Sequence, residues 1–232
     1  MTIQILPLIG IGSVSPGDDV AEIIADALVQ LAPAPGDVLV VAHKVVSKAE
    51  GRVVTVEGDE EAFKQALVES ESVSIVRRRG DLIIAETKHG FICANAGIDR
   101  SNAEPGTMVL LPEDPDHSAH RIRRRVAKAL GVDIGVIISD TFGRPWRRGL
   151  TDIAIGISGV EAIRDLKGQA DWAGRTLEVT EVAIADELAG AADLVMGKSE
   201  GVPAALIKGW STVGRSGTGR DLVRPAGEDL FR

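Results

Sequence analysis

The chain has one cysteine, Cys93, among 232 residues, no tyrosine, and only 3% aromatic residues. A lone thiol excludes an internal disulfide and a thiolate zinc cluster. The shortage of aromatic rings removes the stacking platforms that single-stranded nucleic acid needs. Acidic residues outnumber basic ones 34 to 26, which leaves a formal charge of −8. A general positive field for nucleic acid is therefore missing. No apolar run nears the roughly 20 residues that cross a bilayer, and Met1 to Gly10 carries no basic leader. The expectation is an acidic, cytoplasmic globular protein with neither nucleic acid nor membrane as partner. What is present suits a packed core: 44% of residues are hydrophobic and 26% charged. The length fits one generous domain, or a main domain with a small appended or inserted piece.

Short apolar runs alternate with amphipathic stretches, the rhythm of a mixed α/β protein. Ile3 to Ile9 reads as a strand stopped by Gly10, Gly12 and Pro16. Asp18 or Asp19 then caps a helix whose apolar positions Val20, Ile23, Ile24, Ala27, Leu28 and Leu31 recur at helical spacing. Val38 to Ala42 is apolar throughout, as a strand covered on both faces would be. Glu60 to Glu71 reads as helix. Ser72 to Arg79 and Asp81 to Glu86 read as strands joined by a turn at Gly80. Pro115 to Leu130 predicts a helix with a basic cluster, Val132 to Ser139 another buried strand, and Val182 to Val195 an Ala-rich helix.

Polar residues gather in Gly-rich segments at strand ends, where ligands usually bind in α/β proteins. Gly10 to Val14 has the small residues of a phosphate cradle, although alone it reads first as a strand-to-helix turn. His43 to Arg52 concentrates His43, Lys44, Lys48 and Arg52 directly after a buried strand. It is either a phosphate-neutralising loop or a solvated basic one. Asp99 and Asn102 offer hard oxygens three residues apart, suited to a magnesium-type ion or to base and ribose; by spacing alone an Asx turn is the stronger reading. Ile137 to Gly149 is the segment where function is preferred outright. Asp140 and Thr141 put a carboxylate and a hydroxyl at a strand tip, and a loop with Arg144, Arg147 and Arg148 follows. The competing interpretation packs Trp146 down as an anchor. Gly197-Lys198-Ser199 invites a P-loop reading, but Ala192 stands where that motif needs glycine, and the piece follows a helix. Cys93 reads as a small core residue, and His117 and His120 as surface residues.

In order, these segments resemble the coenzyme F(420)-0:L-glutamate ligases, the γ-glutamyl ligases of deazaflavin biosynthesis. The matching strings are 7–11 (PLIGI), 16–19 (PGDD), 44–52 (KVVSKAEGR), 96–102 (AGIDRSN), 111–116 (LPEDPD), 139–147 (SDTFGRPWR) and 180–187 (TEVAIADE). Each is moderately specific, and seven in order cover almost the whole chain. The resemblance implies a mixed α/β (α+β) fold peculiar to that family, distinct from P-loop and ATP-grasp enzymes, in an intertwined homodimer. It implies one ligase unit over residues 1–232, with room for a smaller subdomain and without the C-terminal reductase-like domain of some relatives.

The resemblance also implies the chemistry. GTP with manganese or magnesium joins L-glutamate to the carboxylate of the precursor's phospholactyl arm through an acyl phosphate. Two divalent ions per site, about 3.5–4 Å apart, would suit such a transfer, with potassium as a candidate additional ion. Metal ligands carried across fall on Asp99, Asp140 and Thr141. Nucleotide contacts fall on Ile11, Gly12, Ser13, Val14, His43, Lys48 and Asn102, and on Leu194, Val195, Met196, Gly197, Lys198, Ser199, Glu200 and Gly201. Lys48, Arg144 and Arg147 are candidate catalytic groups, the two arginines as clamps on precursor or glutamate. His43 departs from the family pattern, which has Ser or Thr before the lysine at position 44. Two other readings use the same loops: a metal-dependent kinase or amide ligase for another phosphorylated acid, and a nucleotide-binding regulatory module without catalysis.

Overall fold

Aspartates start three of the helices. Asp19 accepts hydrogen bonds from the Ala21 and Glu22 N–H groups at 3.1 and 3.2 Å, Asp59 from Ala62 N–H, and Asp114 from His117 N–H. The third of these helices has Pro at its first position and ends on Gly131, whose φ of 70° is left-handed. A computed structural model describes residues 2–101, 104–211 and 216–230. Its elements run β1 (Gln4–Pro7), α1 (Val20–Leu28), β2 (Val38–Ala42), α2 (His43–Ala49), β3 (Val53–Thr55), α3 (Glu60–Ser70), β4 (Ser72–Arg79), β5 (Leu82–Thr87) and β6 (Ile92–Ala94). They continue with β7 (Thr107–Val109), α4 (Pro115–Leu130), β8 (Gly135–Arg144), β9 (Arg147–Ser158), β10 (Arg164–Asp165), β11 (Glu181–Val182), α5 (Ile184–Met196) and β12 (Ala204–Lys208).

The main sheet has the order β1-β12-β2-β8-β9, with β2 and β8 parallel and every other pairing antiparallel. Side-chain alternation splits its two faces between two buried clusters. Leu39, Val41, Val136 and Ile138 pack with Ile24 and Leu28 of α1 and with Ile122 and Val126 of α4. Val38, Val40 and Ile137 pack with Ile184, Leu188 and Ala192 of α5. Helices on both faces explain why β2 and the first half of β8 are apolar without interruption. Each fully buried Leu or Ile there stabilises by about 1.5–3 kcal/mol. A smaller sheet, β4-β5-β6, and the β3-β7 pair stand beside it. A third cluster, including Val68, Ile83, Met108 and Leu110, fills the space beneath α3. Among the described residues no helix is long and apolar enough to cross a membrane.

Three expectations need correction. The segment from His43 is not a loop: the chain turns straight from β2 into α2, which begins on Ala42 with no capping side chain. A seven-residue helix with two adjacent valines and no cap carries little of the signal that marks a helix start. Asp140 and Thr141 are not at a strand tip, because β8 runs on to Arg144 with β9 as its antiparallel neighbour. The expected arginine loop is therefore a hairpin, turned by Pro145 and Trp146, with Trp146 at φ 59°. Trp146 is no packed anchor, since 79% of it is exposed. Cys93 is buried as expected, and that burial pushes its thiol up to about 12. His117 and His120 are exposed on α4.

Candidate active site

The site forms where one strand of the parallel pair stops and the other continues. Ala42, the last residue of β2, lies opposite Ser139 of β8, and its N–H donates to the Pro203 carbonyl at 2.8 Å. Beyond that point, among the described strands, β8 pairs with β9 alone, which uncovers Asp140 and Thr141. Alternation sends Ser139 and Thr141 toward the α5 side and Asp140 toward α2. A cleft of about 260 Å³ results, bounded by the start of α2, by β8 and by the turn after α5. Ends of parallel strands are the usual ligand position in α/β folds.

On the α5 side the polar atoms converge on Asp152 of β9, directly across the hairpin from Thr141. Asp152 is 4% exposed. Its Oδ2 accepts from Ser139 Oγ at 2.9 Å; its Oδ1 accepts from Thr141 Oγ1 at 2.7 Å and from Lys198 Nζ at 2.8 Å. Lys198 Nζ also donates to Thr141 Oγ1 at 2.9 Å and to Asp193 Oδ1 at 2.6 Å. Burial lowers the Lys198 pKa, but the carboxylates of Asp152 and Asp193 outweigh it and leave it raised.

On the α2 side His43, 1% exposed, brings Nε2 to 3.2 Å from Asp140 Oδ1, without the alignment of a hydrogen bond. Its Nδ1 lies 3.2 Å from Ser47 Oγ, one helical turn on. The neighbouring Lys44 carries its ammonium to Asp99 Oδ2 at 2.6 Å and to Ser101 Oγ at 2.5 Å. Asp99 accepts from the Ser101 N–H and hydroxyl as well. Burial raises the Asp99 carboxyl, yet the Lys44 ammonium and the two Ser101 bonds prevail and hold it below its ordinary value.

The cleft brings together Gly12, His43, Lys48, Asp140, Thr141, Met196, Gly197, Lys198, Ser199 and Gly201 from four separate stretches of sequence. Asp99 joins through Lys44, which lines the cleft. Other residues singled out in the sequence stand away from the cleft wall. Ile11 and Val14 are buried in the main core, and Ser13 is exposed between them. On α5, Val195 packs on the second core while Leu194 is 84% exposed. Glu200 is exposed and accepts from the Ser199 N–H and hydroxyl. Arg144 and Arg147 lie at the far end of the hairpin, where Arg144 donates to the Arg148 carbonyl. Asn102 falls outside the described residues. Sequence reasoning missed Asp152 and Asp193 as well as the partner role of Lys44. Asp152 did leave a signal: a lone carboxylate in the apolar stretch Thr151 to Ile157 needs partners if that strand is buried.

Among the described residues no three His, Cys, Asp or Glu side chains form a ready metal cage. The oxygens facing the cleft, from Asp140, Thr141 and Asp152, are hard donors that suit magnesium or manganese better than softer metals. A cation already stands beside two of them, the Lys198 ammonium against Thr141 Oγ1 and Asp152 Oδ1. Glycines at 197 and 201, lysines at 44, 48 and 198, and hard oxygens from Asp140, Thr141 and Asp152 line one cleft, a chemistry able to hold a polyanion with a counter-cation.

The family follows from the sequence match. The chain belongs to the "F420-0:Gamma-glutamyl ligase" family, whose profile matches residues 9–209. It is 43% identical to a "Coenzyme F420:L-glutamate ligase" of Methanothermobacter thermautotrophicus, with all of both chains covered. A protein of that name from Methanopyrus kandleri is 44% identical, covering 100% of this chain and 98% of its own. One from Methanocaldococcus jannaschii is 43% identical, covering 90% of each.

Proposed function

We propose that the chain is a coenzyme F(420)-0:L-glutamate ligase that adds one or more γ-linked glutamates with GTP, through an acyl phosphate. One observation carries the reading: in a chain of this family, Asp140, Thr141, Lys48 and Lys198 meet in a single cleft where β2 ends and β8 continues. All three substrates are anions, so the site must supply positive charge where phosphate and carboxylate meet. Lys48 and Lys198 are placed to do so in a protein whose net charge is −8. The small Gly12, Gly197 and Gly201 suit the triphosphate, which can approach them closely, and the Ser199 N–H, which donates to the Glu200 carboxylate, is a donor it would take over.

The divalent metal, manganese or magnesium and two ions per site as proposed, has donors on both sides of β8: the Thr141 hydroxyl on the α5 side, and the Asp140 carboxylate on the α2 side with Asp99 as a further donor once Lys44 releases it. When bound it would neutralise phosphate charge and align the leaving group. The precursor's carboxylate oxygen then attacks the γ-phosphorus, the bond to the β-phosphate oxygen breaks, and GDP departs. The glutamate amine attacks the acyl carbon, loses a proton, and expels inorganic phosphate. A second glutamate would use the side-chain carboxylate of the first. Arg144 and Arg147, at the hairpin end, are the proposed clamps on precursor or glutamate, and a homodimer is the proposed assembly. Isotope transfer tests the acyl phosphate. With the precursor carboxylate labelled with ¹⁸O, one labelled oxygen should appear in the released phosphate for each amide formed. Product without label in the phosphate would refute the intermediate.

A further inference from the structure

Asp152 has no part in the chemistry above, yet three donors of the cleft end on its carboxylate. A threonine hydroxyl has one proton and two lone pairs. Thr141 donates its proton to Asp152 Oδ1 at 2.7 Å, so toward the cleft the same oxygen can only accept. Lys198 now uses that acceptor at 2.9 Å. Ser139 pins the other carboxylate oxygen at 2.9 Å, which stops the group from turning away. The carboxylate is 4% exposed, so its negative charge is little screened and adds to the pull on any cation beside Thr141.

We infer that Asp152 is a positioning residue, fixing the Thr141 hydroxyl as an acceptor for a divalent cation and holding Lys198 beside it until ligand arrives. The inference rests on the proposed ligase reading only in placing a cation at Thr141. Hydrogen-bond partners behind a metal ligand typically matter 10- to 100-fold in metal affinity. Asparagine at 152 keeps the shape but loses the charge, and it can present an N–H to Thr141, which lets the hydroxyl turn its proton toward the cleft.

The test is Mn²⁺ binding to the nucleotide-free protein, followed by the paramagnetic resonance of free Mn²⁺, with thermal melting alongside. Asp152→Asn should bind Mn²⁺ about 10- to 100-fold more weakly while melting within a few degrees of the wild type. Thr141→Val should weaken binding comparably, and the double substitution should be no worse than the poorer single one, since both act on one group. Wild-type Mn²⁺ affinity in Asp152→Asn would overturn the inference, as would strictly additive losses or a wild-type protein that binds no Mn²⁺. Should Asp152→Asn not fold, Ser139→Ala keeps the charge but frees the carboxylate. It should weaken Mn²⁺ binding severalfold, and unchanged affinity would overturn the inference. A wild type that binds Mn²⁺ but forms no glutamyl product would count against the ligase reading alone.

Discussion

Replacing Asp140 by asparagine separates a reacting-centre role from a structural one, because its native contacts are few. Asp140 Oδ1 accepts the Thr141 N–H at 2.7 Å, a bond the asparagine carbonyl can keep. Its other neighbour, His43 Nε2, lies 3.2 Å away without hydrogen-bond alignment. The structural loss should therefore stay near 1 kcal/mol, the size of one modest hydrogen bond. In a protein of 232 residues that lowers the melting temperature by about 2–4 °C. Turnover should suffer far more. On the proposed role of Asp140 as a metal ligand, losing its charge should raise the barrier by about 3–4 kcal/mol, and at 1.36 kcal/mol per tenfold this slows product formation by about 10²–10³. The assay pairs initial rates of glutamyl product by mass spectrometry with a melting curve. A rate within tenfold of wild type would remove Asp140 from the reacting centre. A fall in melting temperature beyond about 10 °C would make it structural.

Gly156→Ala would place its Cβ 2.4 Å from the Pro115 carbonyl, backbone that cannot yield without moving the start of α4. A loss of about 3 kcal/mol, seen as a lower urea midpoint, is expected; an unchanged midpoint would refute the close approach. Cys93 is held near 12 against an ordinary 9.0, so its native form binds the proton more tightly than the unfolded chain. Its contribution is complete below pH 9 and is lost as pH rises toward 12. At pH 10 the wild type should have lost about 1.4 kcal/mol more than Cys93→Ala relative to pH 8, by urea unfolding. Asp99 is held low with the help of Lys44, so its contribution is present above its ordinary pKa and fades as pH falls through the lowered one. Lys44→Met should raise the Asp99 pKa in a carboxyl-carbon NMR titration, and an unmoved value would deny the pairing.

Elements with strong local boundaries were legible in the sequence. α4 runs from Pro115 to Leu130 as read, because Asp114, Pro115 and Gly131 mark both ends. The turn at Gly80 separates β4 and β5 as read, and Asp19 caps α1. α2 was not legible, since it has no cap and only seven residues. The length of β8 was not legible either, because β9 alone sustains it past Ser139 and pairing partners leave no local mark. The site was legible as separate segments and not as an arrangement. Its assembly depends on the parallel pairing of β2 with β8, distant in sequence, which sets Asp140 and Thr141 one and two residues past the end of β2. Asp152 stayed hidden for a related reason: its meaning lies in the residue across the hairpin, Thr141.

The central claim is tested most directly by incubating the purified protein with F(420)-0, L-glutamate, GTP and Mn²⁺ and weighing the products. The account predicts F(420)-0 made heavier by whole glutamyl units, with GDP and phosphate released in step, and no product when GTP or metal is withheld. GTP turnover without any glutamyl product, or glutamylation that proceeds without nucleotide, would contradict it.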